Sequence, residues 1–129
     1  MAERLFVYGT LHPDRAPVEI ADIVRHFKHL GSGTVRGRYY DLGSYPALIL
    51  DQKGKNVHGE GYVLPSEAHV LDRLDAYEEY LPASPEQSLF LRKKARVQLR
   101  NGSRSECWIY VYNRPIPEHQ SHAELASVA

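Results

Sequence analysis

Apolar residues come in short bursts along the chain, broken every few positions by Gly, Pro or charge. The first burst, Arg4 to Tyr8, is rich in strand formers and is closed at once by Gly9, which predicts a buried strand that stops abruptly. After a polar stretch from His12 to Pro17, Ile20, Ile23, Val24 and Phe27 fall at i, i+3, i+4 and i+7, the spacing of an amphipathic helix ending near Gly31. Gly33 to Tyr40 reads as a strand, the turn-forming run Asp41 to Pro46 as a shaped loop, and Ala47 to Asp51 as the next strand. Lys53 to Asn56 reads as a hairpin turn into a strand from Val57 to Leu64. Ser66 is a candidate N-cap for a second helix, whose stripe of Val70, Leu71, Leu74 and Tyr77 carries it to Tyr77 or Glu78.

Leu81 to Ser88, with two prolines and no periodicity, is expected to be a surface loop of the kind that serves function. Beyond it Leu91, Ala95, Val97 and Leu99 alternate with charged or polar residues, the pattern of a strand with one wet face, and Asn101-Gly102 supplies a hairpin turn. Its partner, Glu106 to Asn113, is apolar on both faces and is therefore expected to be central. Strands in runs with two main helices inserted predict an α+β domain over residues 1–113, built on a mostly antiparallel, barrel-like sheet, with 114–129 as a C-terminal tail.

Length and composition narrow the function classes. A chain of 129 residues suffices for one hydrophobic core. Sixteen basic and sixteen acidic residues cancel, so no excess positive charge draws nucleic acid or an anionic membrane, and neither is expected as a partner. The single cysteine, Cys107, allows no intramolecular disulfide, and no apolar run approaches the roughly 20 residues of a membrane span; a cytoplasmic setting is expected. No apolar stripe marks an oligomer interface, which leaves monomer or homodimer open.

One acidic residue stands apart. On a wheel of the second helix, Glu78 falls inside the apolar arc, whereas Glu79, Asp72 and Asp75 fall on the outer side. A carboxylate facing the core must be paired, hydrogen-bonded or open to a cavity, and desolvation raises its pKa toward neutrality, which suits a general acid/base. The alternative is that the helix ends at Tyr77, the wheel no longer applies, and Glu78 is a surface acid. The turn Tyr8-Gly9-Thr10-Leu11 is equally two-sided: successive backbone N–H groups after a strand can hold an anion, or the glycine can make a tight bend. Seven histidines raise the question of a metal, but no set at ligand spacing is completed, and none is expected; Cys107 reads as a core residue.

In register along the chain, Phe6 to Leu11, Tyr40 to Ala47, Val57 to Tyr62, Leu74 to Glu78 and Trp108 to Tyr112 resemble the motifs of the gamma-glutamylcyclotransferase-like (AIG2-like) family, over about residues 4 to 113. The resemblance implies a small α+β fold with a barrel-like sheet and a reaction that turns a γ-glutamyl amine or amino acid into 5-oxoproline and a free amine, with no cofactor. It also implies that the amides of Gly9, Thr10 and Leu11 hold the glutamyl group and that Glu78 is the acid/base. Tyr8, Tyr45, Tyr110 and Tyr112 are candidates to line the pocket. The chain departs from the family pattern where Phe90-Leu91-Arg92 replaces Tyr-x-Arg, where Glu79 stands for a glycine, and at His12-Pro13-Asp14. A non-catalytic small-molecule-binding or stress-associated protein keeping the same cleft is the competing reading.

Overall fold

The computed structural model describes residues 3–8, 20–42, 46–66 and 69–115. Along them run β1 (Arg4–Val7), α1 (Ala21–Val24), β2 (Lys28–Asp41), β3 (Pro46–Leu50), β4 (Lys55–Val63), α2 (Val70–Tyr77), β5 (Phe90–Leu99) and β6 (Arg104–Tyr112), with a 3-10 turn at Pro85–Gln87. The strands form one sheet in the order β3-β2-β4-β1-β6-β5, and β5 returns to β2, opposing Gly33 to Leu99 and Thr34 to Gln98. That contact closes a ring of β2, β4, β1, β6 and β5, with β3 continuing along the far half of β2. Pairing is antiparallel except between β1 and β6, where Leu5 lies beside Trp108. The expected mixed, mostly antiparallel barrel-like sheet is what forms.

Alternation on the strands sorts the core into two regions. Phe6, Val97, Cys107, Ile109 and Val111 fill the barrel interior with Val35 and Leu48. Leu5, Tyr62, Phe90 and Tyr110 face the other way and cover Ile20, Ile23, Val24, Val70 and Leu74 of the helical layer. Each fully buried large apolar side chain contributes roughly 1.5–3 kcal/mol. The β6 strand, flanked by β1 and β5 and apolar on both faces, is central as its pattern predicts.

Four expectations change. The helix expected from Ile20 to Gly31 is a single turn: His26 and Phe27 donate to the carbonyls of Ile23 and Val24, a tightened exit, and the backbone from Lys28 onward pairs with β4. All four stripe residues are nevertheless buried. The strand signal in Lys28 to Ser32 is hidden by Gly31, which sits at φ +142 in a register shift against β4. Ser66 does not cap α2; the helix begins at Val70 behind His69, whose left-handed backbone and exposed ring provide no side-chain cap.

The third change is topological. The turn after β3 is present, held by Gly54 N–H on the Asp51 carbonyl and Lys53 N–H on the Asp51 carboxylate, but it does not make a hairpin. β3 and β4 pair with opposite edges of β2, meeting Gly37 from both sides through Leu50 and Lys55. The chain therefore crosses over β2 at Gly37, and Gly54 rests on that peptide: a Cβ on Gly54 would lie 2.3 Å from the Gly37 carbonyl oxygen. The fourth concerns Asp75, expected on the outer side of α2 and found 4% exposed. Asp75 sits at the edge of the face that α2 packs on the sheet, and Arg92 of β5, a strand of that sheet, meets the carboxylate there.

Candidate active site

The C-terminus of α2 sets the site. Glu78 N–H donates to the Leu74 carbonyl at 2.9 Å, continuing the helical ladder one residue past Tyr77, so the wheel still describes where its side chain points. Glu79 N–H then reaches the Ala76 carbonyl and Tyr80 N–H the Asp75 carbonyl, which is the Schellman pattern of helix termination. That pattern needs a left-handed residue, and Glu79 supplies it at φ +56 where glycine is usual. The next strand helps fix the turn, because Leu89 N–H donates to the Glu79 carbonyl. A non-glycine residue in the left-handed region costs on the order of 1 kcal/mol. Glu79→Gly is therefore expected to raise stability by about 1 kcal/mol, read as a higher denaturant midpoint at unchanged m-value.

Glu78 itself is half-buried, and its carboxylate has no hydrogen-bond or ion-pair partner among the described residues. Burial, and secondarily the negative charge of Glu79, push its pKa from the ordinary 4.5 to about 7. Tyr8, at the exit of β1, donates its hydroxyl to the Tyr110 carbonyl and sets its ring edge-on to Tyr39 at 6.1 Å. Tyr110 donates its own hydroxyl to Asp75 Oδ1 at 2.7 Å. Both phenols are pushed well up, first by burial, and both feel the charge of Glu78. The end of β1, the end of α2 and the middle of β6 thus bring Tyr8, Glu78 and Tyr110 together. Gly9, Thr10, Leu11 and Tyr45 lie outside the described residues.

Phe90 is buried, with its ring 5.7 Å from that of Tyr112, so the position that carries a hydroxyl in the family pattern is apolar packing here. Asp75 and Arg92 are the site neighbours that sequence reasoning missed. Their signal was present: Asp75 precedes Glu78 by three residues, and Arg92 ends the Phe90-Leu91-Arg92 stretch that lacks the tyrosine. A separate groove of about 650 Å³ opens where β3 and β5 diverge from β2, rimmed by Arg36, Lys94, Arg96 and Arg104; none of Tyr8, Glu78 or Tyr110 lines it.

A closed, mostly antiparallel barrel covered by a helical layer is the fold of the gamma-glutamylcyclotransferase-like class of proteins. The family model for gamma-glutamyl cyclotransferase, AIG2-like, matches residues 5–127. The chain belongs to this family. A curated relative from Halalkalibacterium halodurans, named "Putative gamma-glutamylcyclotransferase", is 38% identical over 84 residues, covering 64% of this chain and 69% of the relative. Among solved structures, an AIG2-like protein of Mus musculus is 25% identical with a TM-score of 0.66, over 91% of this chain and 81% of that one. YkqA of Bacillus subtilis shares the fold at 18% identity and a TM-score of 0.65; the match covers 88% of this chain and 36% of YkqA.

Proposed function

We propose that this protein cyclises the γ-glutamyl group of a γ-glutamyl amine or γ-glutamyl amino acid to 5-oxoproline and releases the amine. The observation that carries this reading is Glu78: a desolvated carboxylate without a partner among the described residues, its pKa pushed up to about 7, whose charge is felt by Tyr8 at the end of β1. The reaction asks for little else. The substrate's own α-nitrogen attacks its γ-carbonyl carbon, forming the ring C–N bond, and the bond from that carbon to the leaving amine breaks. Two protons leave the α-ammonium as it becomes the ring N–H, and two arrive on the departing nitrogen, which leaves as an ammonium. A single carboxylate titrating near neutral pH can relay them one at a time from the attacking nitrogen to the leaving one. No nucleophilic side chain is needed, in keeping with Cys107 being buried in the barrel. Bending the substrate so that amine meets carbonyl is a problem of proximity, and the amides of Gly9, Thr10 and Leu11 are the groups assigned to grip its α-carboxylate.

The test is release of 5-oxoproline by the pure protein from a panel of γ-glutamyl amines, γ-glutamyl amino acids and glutathione. At least one is expected to react, with kcat/KM rising as pH passes through about 7 and Glu78 loses its proton. No product across the panel would overturn the assignment in favour of a binding protein.

A further inference from the structure

The groove beside β2 has a topological cause. β5 and β3 share one edge of that strand: β5 opposes Gly33 and Thr34, and β3 takes over from Gly37 onward. Val35 and Arg36 lie at the fork, where neither strand has a ladder partner for them. Alternation then decides what borders the opening. Thr34 and Gln98 oppose each other, so Arg36, two residues after Thr34, and Arg96, two residues before Gln98, lie on the same outer face from opposite walls. Arg104 of β6 opposes Gln98 and joins them. The inward positions Val35 and Ala95, with Leu50 of β3, give the groove an apolar floor.

The three guanidinium groups lack counter-charges. Arg38, Arg73 and Arg92 are paired with Asp51, Asp22 and Asp75. In the groove, by contrast, Arg36 donates to the amide oxygen of Asn56 at 3.3 Å and Arg104 to that of Gln98 at 3.1 Å, both neutral acceptors. Arg96 has no acceptor among the described residues, although Glu106 stands opposite it on β6. Glu106 is the one carboxylate among the described residues that line the groove, against four cations, in a chain whose formal charges sum to zero. Lys94, the fourth cation, is 3.7 Å from a Glu3 oxygen and lies over the Trp108 ring, so the arginines carry the excess. A guanidinium with only a neutral partner keeps its fork of donors for an oxyanion.

We propose that this groove binds a small organic phosphate, its phosphoryl oxygens held by Arg36 from one wall and by Arg96 and Arg104 from the other, and its carbon skeleton resting on Val35, Ala95 and Leu50. A volume of about 650 Å³ is that of a small-molecule site, and a chain of zero net charge has no wider positive field to hold a polyanion. A phosphoryl group also suits three forks better than a carboxylate does, since it offers three acceptor oxygens and up to two charges. Neither Glu78 nor Tyr8 lines the groove, so this site is distinct from that of the assigned reaction.

The experiment follows backbone amide shifts of the nitrogen-15-labelled full chain as ADP or inorganic pyrophosphate is added without divalent metal. Both are expected to saturate with a Kd of about 1 mM or tighter. The largest shifts should fall within 34–36, 94–98 and 104–106, and affinity should decline as KCl is raised. Arg36→Gln and Arg96→Gln, at exposed positions, are each expected to weaken ADP binding by about tenfold or more, whereas Arg25→Gln, exposed and away from the groove, leaves it unchanged. Succinate, whose two charges are carboxylates, should bind about tenfold more weakly than pyrophosphate. The proposal is overturned by no saturation with either probe, by shifts centred elsewhere, by an affinity that survives both arginine changes, or by succinate binding as tightly as pyrophosphate. Binding of heparin with neither small probe saturating would overturn it too, as the mark of a polyanion surface. Only binding is read, so failure here leaves the assigned reaction standing, and an absence of turnover leaves this site standing.

Discussion

Glu78→Gln is expected to abolish 5-oxoproline release while making the protein more stable at pH 8. The loss follows from chemistry: an amide of nearly the same shape can neither accept the ammonium proton nor return one, and acid/base assistance is worth on the order of 10² to 10⁴ in rate. The gain follows from linkage. A carboxyl whose folded pKa is raised above its unfolded value stabilises the fold fully below the unfolded pKa, and that contribution is lost as pH rises through the folded one, here between about 4.5 and about 7. Above that window the wild type holds an ion in a site that disfavours it, at a cost of at most roughly 3 kcal/mol. Glutamine has no such ion. Thermal melts at pH 4 and pH 8 should therefore nearly coincide for the two proteins at the lower pH and separate by several degrees at the higher. An active Glu78→Gln would sink the acid/base role, and equal melts at pH 8 would mean that Glu78 is not desolvated.

Gly54→Ala is expected to destabilise the fold by roughly 2–4 kcal/mol, although it adds a single methyl on a turn. Gly54 does not have a left-handed φ, so the cost is steric. The new Cβ would stand 2.3 Å from the Gly37 oxygen and 2.6 Å from its carbonyl carbon, and neither is the end of a flexible side chain. Gly37 has no freedom to retreat, because a Cβ there would already be 2.6 Å from the Ile49 carbonyl oxygen. Relief requires lifting the crossing off β2, which loosens β3 or β4. Gly61→Ala is the control: its nearest neighbour is 3.6 Å away, so the same change should cost little. Urea denaturation of the two variants gives the comparison, and a Gly54→Ala midpoint equal to that of Gly61→Ala would refute the crossing as a point of close contact.

What the chain disclosed in advance tracks how local each cause is. The faces of β6 could be read because period-2 alternation needs only neighbouring residues, and the Asn101-Gly102 turn closes as expected, with Gly102 at φ +93. The inward placement of Glu78 was legible for a subtler reason. The helix does end at Tyr77, as the alternative held, yet one more backbone hydrogen bond carries the helical direction through Glu78. The crossing at Gly37 was not legible, since a turn between two strands looks the same whether they pair with each other or straddle a third. Asp75 was misplaced for a related reason: a wheel carries no information on which side chains of the sheet reach the helix, and Arg92, which meets this carboxylate, lies on a strand that follows it in the chain. The largest shortfall in α1 arose where strand pairing with β4 outcompeted a good helical stripe.

The place of β1 in the sheet bears on how the protein is made. The first described strand lies between β4 and β6, and it pairs along Arg4 to Val7 with β4 but awaits Trp108 for its other edge. A nascent chain can therefore assemble β1 to β4 as an open sheet, with Leu5 and Phe6 covered on one edge only, before β5 and β6 have been translated. Asp75 meets Arg92 once β5 is present, whereas Tyr8 gains its Tyr110 carbonyl only with β6. Products of synthesis stalled before β6 would carry Glu78 without Tyr110 beside it, so the surroundings of this carboxylate are completed only when β6 docks.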